Sequence, residues 1–166
     1  MWAEIMEEFS DSPSQARIIK FMLENGFGVN ESGKVVCNGI PIPATQIAAA
    51  TSSDRRVVDA TVHRILEHST LGQIFLSMQA TPDLSKVAGC LGLTVITVIP
   101  VDASRKGIVG AAVKVLTDHD LTIRQIFVTD PYFVEAPRLV IIIEGTLPPG
   151  TIEELRALPE TKHLII

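Results

Sequence analysis

Residues 93–99, LTVITVI, place Leu93, Val95, Thr97 and Ile99 on one side of an extended chain and Thr94, Ile96 and Val98 on the other, because strand side chains alternate. Both sides are largely apolar, the pattern of a central strand covered on both faces. Pro100 leads into a polar loop that ends on Gly107. Beyond it, Ile108, Ala111, Ala112, Val115 and Leu116 recur at helical spacing, with Lys114 and Asp118 off that stripe. Residues 122–129 alternate Ile123, Gln125 and Phe127 against Arg124, Ile126 and Val128, and Asp130-Pro131 reads as the turn that ends this strand. Residues 138–144, RLVIIIE, form another β-branched run that is apolar on both faces. Thr151 and Glu154 have capping-box spacing, so a short helix should start there with Ile152, Leu155 and Leu158 inward, and 162–166 should be a last strand. The predicted order is βαββαβ, the split βαβ or ferredoxin-like motif.

The first half has a different pattern. Trp2, Ile5, Met6 and Phe9 fall on one helical stripe. Ser12-Pro13-Ser14-Gln15 has the form of a capping box with proline at the first helical position, and the helix it opens should run to about Asn25, with Ala16, Ile19, Met22 and Leu23 inward. Gly26 stops it. Val35-Val36-Cys37 and Ile40-Pro41-Ile42 flank Asn38-Gly39, a hairpin signal, and Pro41 makes the second strand an edge. Two helices should follow, 44–50 and 54–68, separated by Thr51-Ser52-Ser53. The second turns Val57, Val58, Val62, Ile65 and Leu66 inward and Arg55, Arg56, Asp59, His63 and Glu67 outward. Leu71, Ile74, Phe75 and Met78 suggest another helical turn or two, Thr81-Pro82 a second short helix, and Gly89 and Gly92 its end. The expected division is therefore a helical domain at 1–69, a helical connector at 70–92 and a βαββαβ domain at 93–166, an α+β chain overall.

Composition fits globular domains: 166 residues, 46% hydrophobic, net charge −5. No apolar run approaches the roughly 20 residues that span a bilayer, so no membrane partner is expected. The acidic start MWAEIMEEF lacks a signal-peptide pattern. Cys37 and Cys90 stand far apart with no C-x-x-C, which argues against a disulfide framework or a zinc site. The expected location is cytoplasmic.

Ile47-Ala48, Ser52 and Val58 stand at the spacing of a helix-turn-helix, and with the upstream hairpin this part resembles the winged-helix-like domains of prokaryotic regulators. On that reading the 54–68 helix enters the major groove with Arg55 and Arg56 near its exposed start. Charge weighs against strong binding: up to Ala80 there are six basic residues against nine acids, and phosphate neutralisation supplies most non-specific affinity. Arg55 pairing with Asp59 on a solvated face is the alternative.

The loop closing on Gly107, the aliphatic helix behind it and the entry DHDLTIRQIFV to the next strand resemble the ACT domain, a small-molecule sensing module of amino-acid metabolism. With DRRVV, IPVDAS and IRQIFVTDP, the chain as a whole resembles archaeal ACT-domain regulators of amino-acid metabolism. That resemblance implies a ligand, commonly an amino acid, at Asp102, Ser104, Gly107 and Ile108, often at a homodimer contact, with no cofactor. Free N-H groups at a helix start suit a carboxylate, and a glycine lets it approach. The alternative is a turn glycine and a capping aspartate. Two positions depart from the family pattern: Lys106-Gly107 stands where Pro-Gly is common, and Asp120 where a glycine is usual.

Catalysis has little support. His63 and His68 are five apart, off a shared helix face, and there is no H-E-x-x-H, G-x-S-x-G or phosphate-binding glycine loop. Asp118-His119-Asp120 is the one dense ionisable cluster, at a predicted helix end that favours a histidine. The expectation is a non-enzymatic regulator that senses an amino acid and controls transcription. The alternative is a regulatory or scaffold subunit that binds a metabolic enzyme rather than DNA.

Overall fold

Proline at the first helical position and glycine past the last one bound the helix Pro13–Asn25. Pro13 presets the backbone, and Gly26 takes a left-handed φ of 65° while Phe27 N-H bonds back to the Met22 carbonyl at 2.8 Å. The computed structural model describes residues 2–130, 134 and 136–166, with the side chains of Trp2 and Ala3 excepted. Among them are seven α-helices and two antiparallel sheets. The chain divides into two compact units, Met1–Pro82 and Asp83–Ile166.

The first unit runs α1 (Trp2–Glu7), α2 (Pro13–Asn25), β1 (Gly28–Val29), β2 (Val35–Cys37), β3 (Ile40–Pro41), α3 (Ala44–Ala50), α4 (Arg55–Glu67) and α5 (Ser69–Ser77). Its sheet has the order β1-β2-β3, so Pro41 does lie on an edge strand. Asn38 and Gly39 both have positive φ, 49° and 83°, as the tight hairpin turn requires. The Asn38 side chain also exchanges two hydrogen bonds with the Ala80 backbone, at 2.8 and 3.0 Å. The core gathers Phe9, Ile18, Ile19 and Met22 with Val58, Val62, Ile65 and Phe75. Ile5 joins this core, while the Trp2 side chain expected on the same stripe lies outside the described residues.

The second unit runs from a 3-10 turn (Ala88–Leu91) through β4 (Leu93–Pro100), α6 (Ile108–Asp118), β5 (Ile123–Val128), β6 (Leu139–Glu144) and α7 (Thr151–Ala157) to β7 (Thr161–Ile165). The sheet order is β5-β6-β4-β7, all antiparallel, so the two strands with apolar residues on both faces are the central ones. Ile96, Val98, Leu139, Ile141 and Ile143 pack with Ala112, Leu116 and Leu155 on one face. On the other, Val140 and Ile142 pack with Leu84, Ala88, Leu93, Val95 and Phe127.

Several expectations change. The capping box at Ser12 is not formed, since its side chain makes no cap hydrogen bond. The one at Thr151 is not formed either: Gly150, at φ 90°, takes the cap, and Thr151 sits inside the first turn, buried. Thr81-Pro82 opens no helix; the chain turns at 85–87 and winds only the 3-10 turn. β1 is an unexpected third strand of the first sheet. The stretch expected as a connector is shared, with α5 in the first unit and the 3-10 turn in the second. The second face of the larger sheet is covered in part by Leu84 and Ala88 of its own unit. Asp130-Pro131 falls partly outside the described residues.

Candidate functional site

The loop after β4 is built from its own polar side chains. β4 slips register against β7 between Ile99 and Pro100, and Val101 N-H then bonds the Glu160 carbonyl at 2.9 Å. Asp102 Oδ1 accepts from Ser104 N-H at 2.9 Å and from its hydroxyl at 2.7 Å, a compact Asx turn. These bonds hold the Asp102 carboxyl below its ordinary pKa, the Ser104 hydroxyl first and its backbone N-H second. Arg105 reaches across to Glu160 at 2.6 Å. That hydrogen bond, and then the charge of the same carboxylate, raises the guanidinium pKa.

Gly107 closes the loop at φ 93° and caps α6, with no atom within 4 Å of where a Cβ would stand. The Ala111 N-H bonds its carbonyl at 2.9 Å, so the first amides of α6 emerge beside a residue that has no side chain. Three cavities lie along this loop, two of them bordered by Gly107. One of about 120 Å³ is lined by Gly107, Ile108, Val109, Val128, Arg105 and Arg138. A second, of about 230 Å³, shares Gly107 and Ile108 and adds Lys106, Leu158 and Glu160. A third, of about 470 Å³, is lined by Asp102, Ser104, Pro137 and Lys162.

The four ligand-site candidates therefore lie on one loop but in two settings. Gly107 and Ile108 share cavities, whereas Asp102 and Ser104 line the neighbouring one and bond each other. Sequence reasoning missed Arg138 and Lys162, which stand 31 and 55 positions from Gly107. The signal that reaches them is topological: antiparallel pairing brings the start of β6 and the start of β7 beside the end of β4.

The helix-turn-helix candidates Arg55 and Arg56 open α4. Ser52 takes a left-handed φ of 50°, the conformation for which glycine is common, and Ser53 N-H bonds back to Ala48 at 2.9 Å. Asp54 caps α4 through Arg56 N-H at 2.7 Å. Arg55 is paired with Asp59 at 3.4 Å and lines a groove of about 560 Å³ between the hairpin and α4. The Arg56 side chain is exposed and forms no ion pair among the described residues.

No family model matches the chain, and no curated protein does.

The ionisable cluster at 118–120 disperses into separate roles. Asp118 pairs with Lys114 at 2.6 Å, His119 with Glu154 at 3.0 Å, and Asp120 holds a left-handed helix end at φ 56°. Among the described residues there is no group of His, Cys, Asp and Glu arranged to hold a metal, and no helix long and apolar enough to cross a membrane.

Proposed function

We propose that this chain is a non-enzymatic, cytoplasmic regulator of amino-acid metabolism of the archaeal ACT-domain kind. Its second unit is a ferredoxin-like, ACT-type module that takes up a small molecule, an amino acid or a close relative, at the Gly107 turn. Its first unit is a winged-helix-like domain that contacts DNA through α4. The observation that carries the reading is the Gly107 turn: a left-handed glycine that opens α6 beside cavities on both sides. The βαββαβ element order supports the module, and the Asp120 left-handed end supplies with an aspartate what a glycine commonly supplies. A homodimer belongs to the proposal, since Ile126 and Val128 are apolar and exposed on the edge strand β5. A light-scattering mass of one chain removes the dimer.

A thermal-shift screen of the purified protein against the twenty amino acids tests the ligand. Ligand at about 100 times its dissociation constant adds roughly 2.7 kcal/mol, which for a chain of this length moves the melting temperature by roughly 5–10 °C. A shift confined to one or two related amino acids supports the sensor. No shift with any of them removes it.

The second reading, a regulatory or scaffold subunit that binds a metabolic enzyme, is favoured by the engagement of Arg55 with Asp59 and by nine acids against six basic residues up to Ala80. The double substitution Arg55→Ala, Arg56→Ala separates the two. Loss of DNA retention at low salt with an unchanged melting curve supports DNA contact. A wild-type protein that no DNA retains leaves the scaffold reading.

A further inference from the structure

We infer that the ligand of the Gly107 turn is a short dicarboxylate, with or without an amino group. The inference rests on the ligand-sensing reading above and names the chemical class that the same site takes.

Charge carries the argument. Arg105, Lys106, Arg138 and Lys162 line the three cavities along the loop. They come from three separate stretches of chain: the β4–α6 loop, the start of β6 and the start of β7. Among the described residues two acids line the same cavities, Asp102 and Glu160, and both are engaged, Asp102 by Ser104 and Glu160 by Arg105. Lys106 and Lys162 form no ion pair among the described residues, while the charge of Arg138 acts at longer range on Asp83 and helps to hold that carboxyl below its ordinary pKa. Yet residues 83–166 hold ten acids against eight basic residues, so half of the cations of a net-acidic unit line these three cavities. A cleft lined by one sign of charge concentrates ligands of the other.

Shape separates the two charges. The cavity of about 120 Å³ is walled by Ile108, Val109, Val128 and Leu139 and has Arg105 and Arg138 in its lining. The cavity of about 470 Å³ has Lys162, and the two share Pro100, Ala103 and Pro137 as a common wall. One carboxylate meets Arg138 beside the first amides of α6. The other meets Lys162 across the proline wall, and a short carbon skeleton lies on the apolar side chains between them. A neutral zwitterion gains less, because its single carboxylate meets only one of the two cationic ends.

Isothermal titration of the full chain with succinate, aspartate and glutamate, and with the amides asparagine and glutamine, tests this in wild type, Arg138→Gln and Lys162→Gln. Both substituted residues are exposed, and melting curves check that each variant folds. At least one dicarboxylate should bind about tenfold or more tighter than its amide, and each variant should lose about tenfold for the dicarboxylate and little for the amide, as expected for one charge-assisted contact. Amides that bind as well as acids overturn the dicarboxylate while leaving a sensor in place, and so does a folded Arg138→Gln and Lys162→Gln pair with unchanged dicarboxylate affinity. No binding by any of the five compounds, together with a flat thermal screen, overturns the sensor as well.

Discussion

Gly107 and Gly110 stand three positions apart, and a Cβ on either would find nothing within 4 Å. Their substitutions should nonetheless act in opposite directions. Gly107 holds φ at 93°, where an alanine Cβ meets its own backbone at a cost of about 1–2 kcal/mol. The stiffer unfolded chain returns about 0.4–1 kcal/mol, so Gly107→Ala should destabilise by about 1 kcal/mol. Gly110 lies inside α6 with ordinary helical φ, and Gly110→Ala should stabilise by about 0.5–1 kcal/mol. The two variants then differ by about 1.5–2 kcal/mol, a gap of about 3–8 °C in melting temperature for a chain of this length. Calorimetry or a circular-dichroism melt of both proteins measures it. Equal melting temperatures, or a more stable Gly107→Ala, would refute the left-handed turn on which the site is built.

Gly28→Ala tests a close approach rather than a dihedral: its Cβ would stand 2.5 Å from the Phe75 carbonyl oxygen, so a loss of about 1–3 kcal/mol is expected, and an unchanged urea midpoint would contradict the packing of β1 on α5. Arg64 donates to Asp11 at 2.9 Å, to Gln15 at 3.1 Å and to the Glu8 carbonyl, and lies 4.8 Å over the Phe9 ring. Arg64→Ala should cost about 1–3 kcal/mol with only partial rescue by lysine, which lacks the planar fork; full rescue in a urea titration would argue against that geometry. Asp102 has a lowered folded pKa, so its contribution to stability is present above the unfolded value of about 3.9 and is lost as pH falls through the lower folded value. A carbon-detected NMR titration should place its midpoint below about 3.9, moving up in Ser104→Ala; a midpoint at or above 3.9 in wild type counts against the Asx turn.

Strong periodicity and special dihedrals were legible in the sequence. The alternation of 93–99 and the run 138–144 led to the central strands, Asn38-Gly39 to the hairpin, and Gly26 to a helix end. Cap motifs were less legible, because Ser12 and Thr151 have the right spacing but Pro13 and Gly150 already set those helix starts by backbone conformation. β1 was missed because two residues carry no period. The cover that Leu84 and Ala88 give the sheet depends on the 83–92 stretch folding back on its own strands, a non-local contact that helical spacing does not encode. The candidate site was legible as a loop and a glycine. Its cations were not, because Arg138 and Lys162 come beside the end of β4 only through the pairing of β4 with β6 and β7.

The most direct test of the account is a nitrogen-15 NMR titration of the full chain with the ligand that shifts its melting curve most. The account predicts that perturbed amides cluster at 102–109 with Arg138 and Lys162, and that Gly107 and Ile108 move furthest. Perturbations confined to the groove of Lys34, Ile42 and Arg55, with the Gly107 turn silent at saturation, would contradict it.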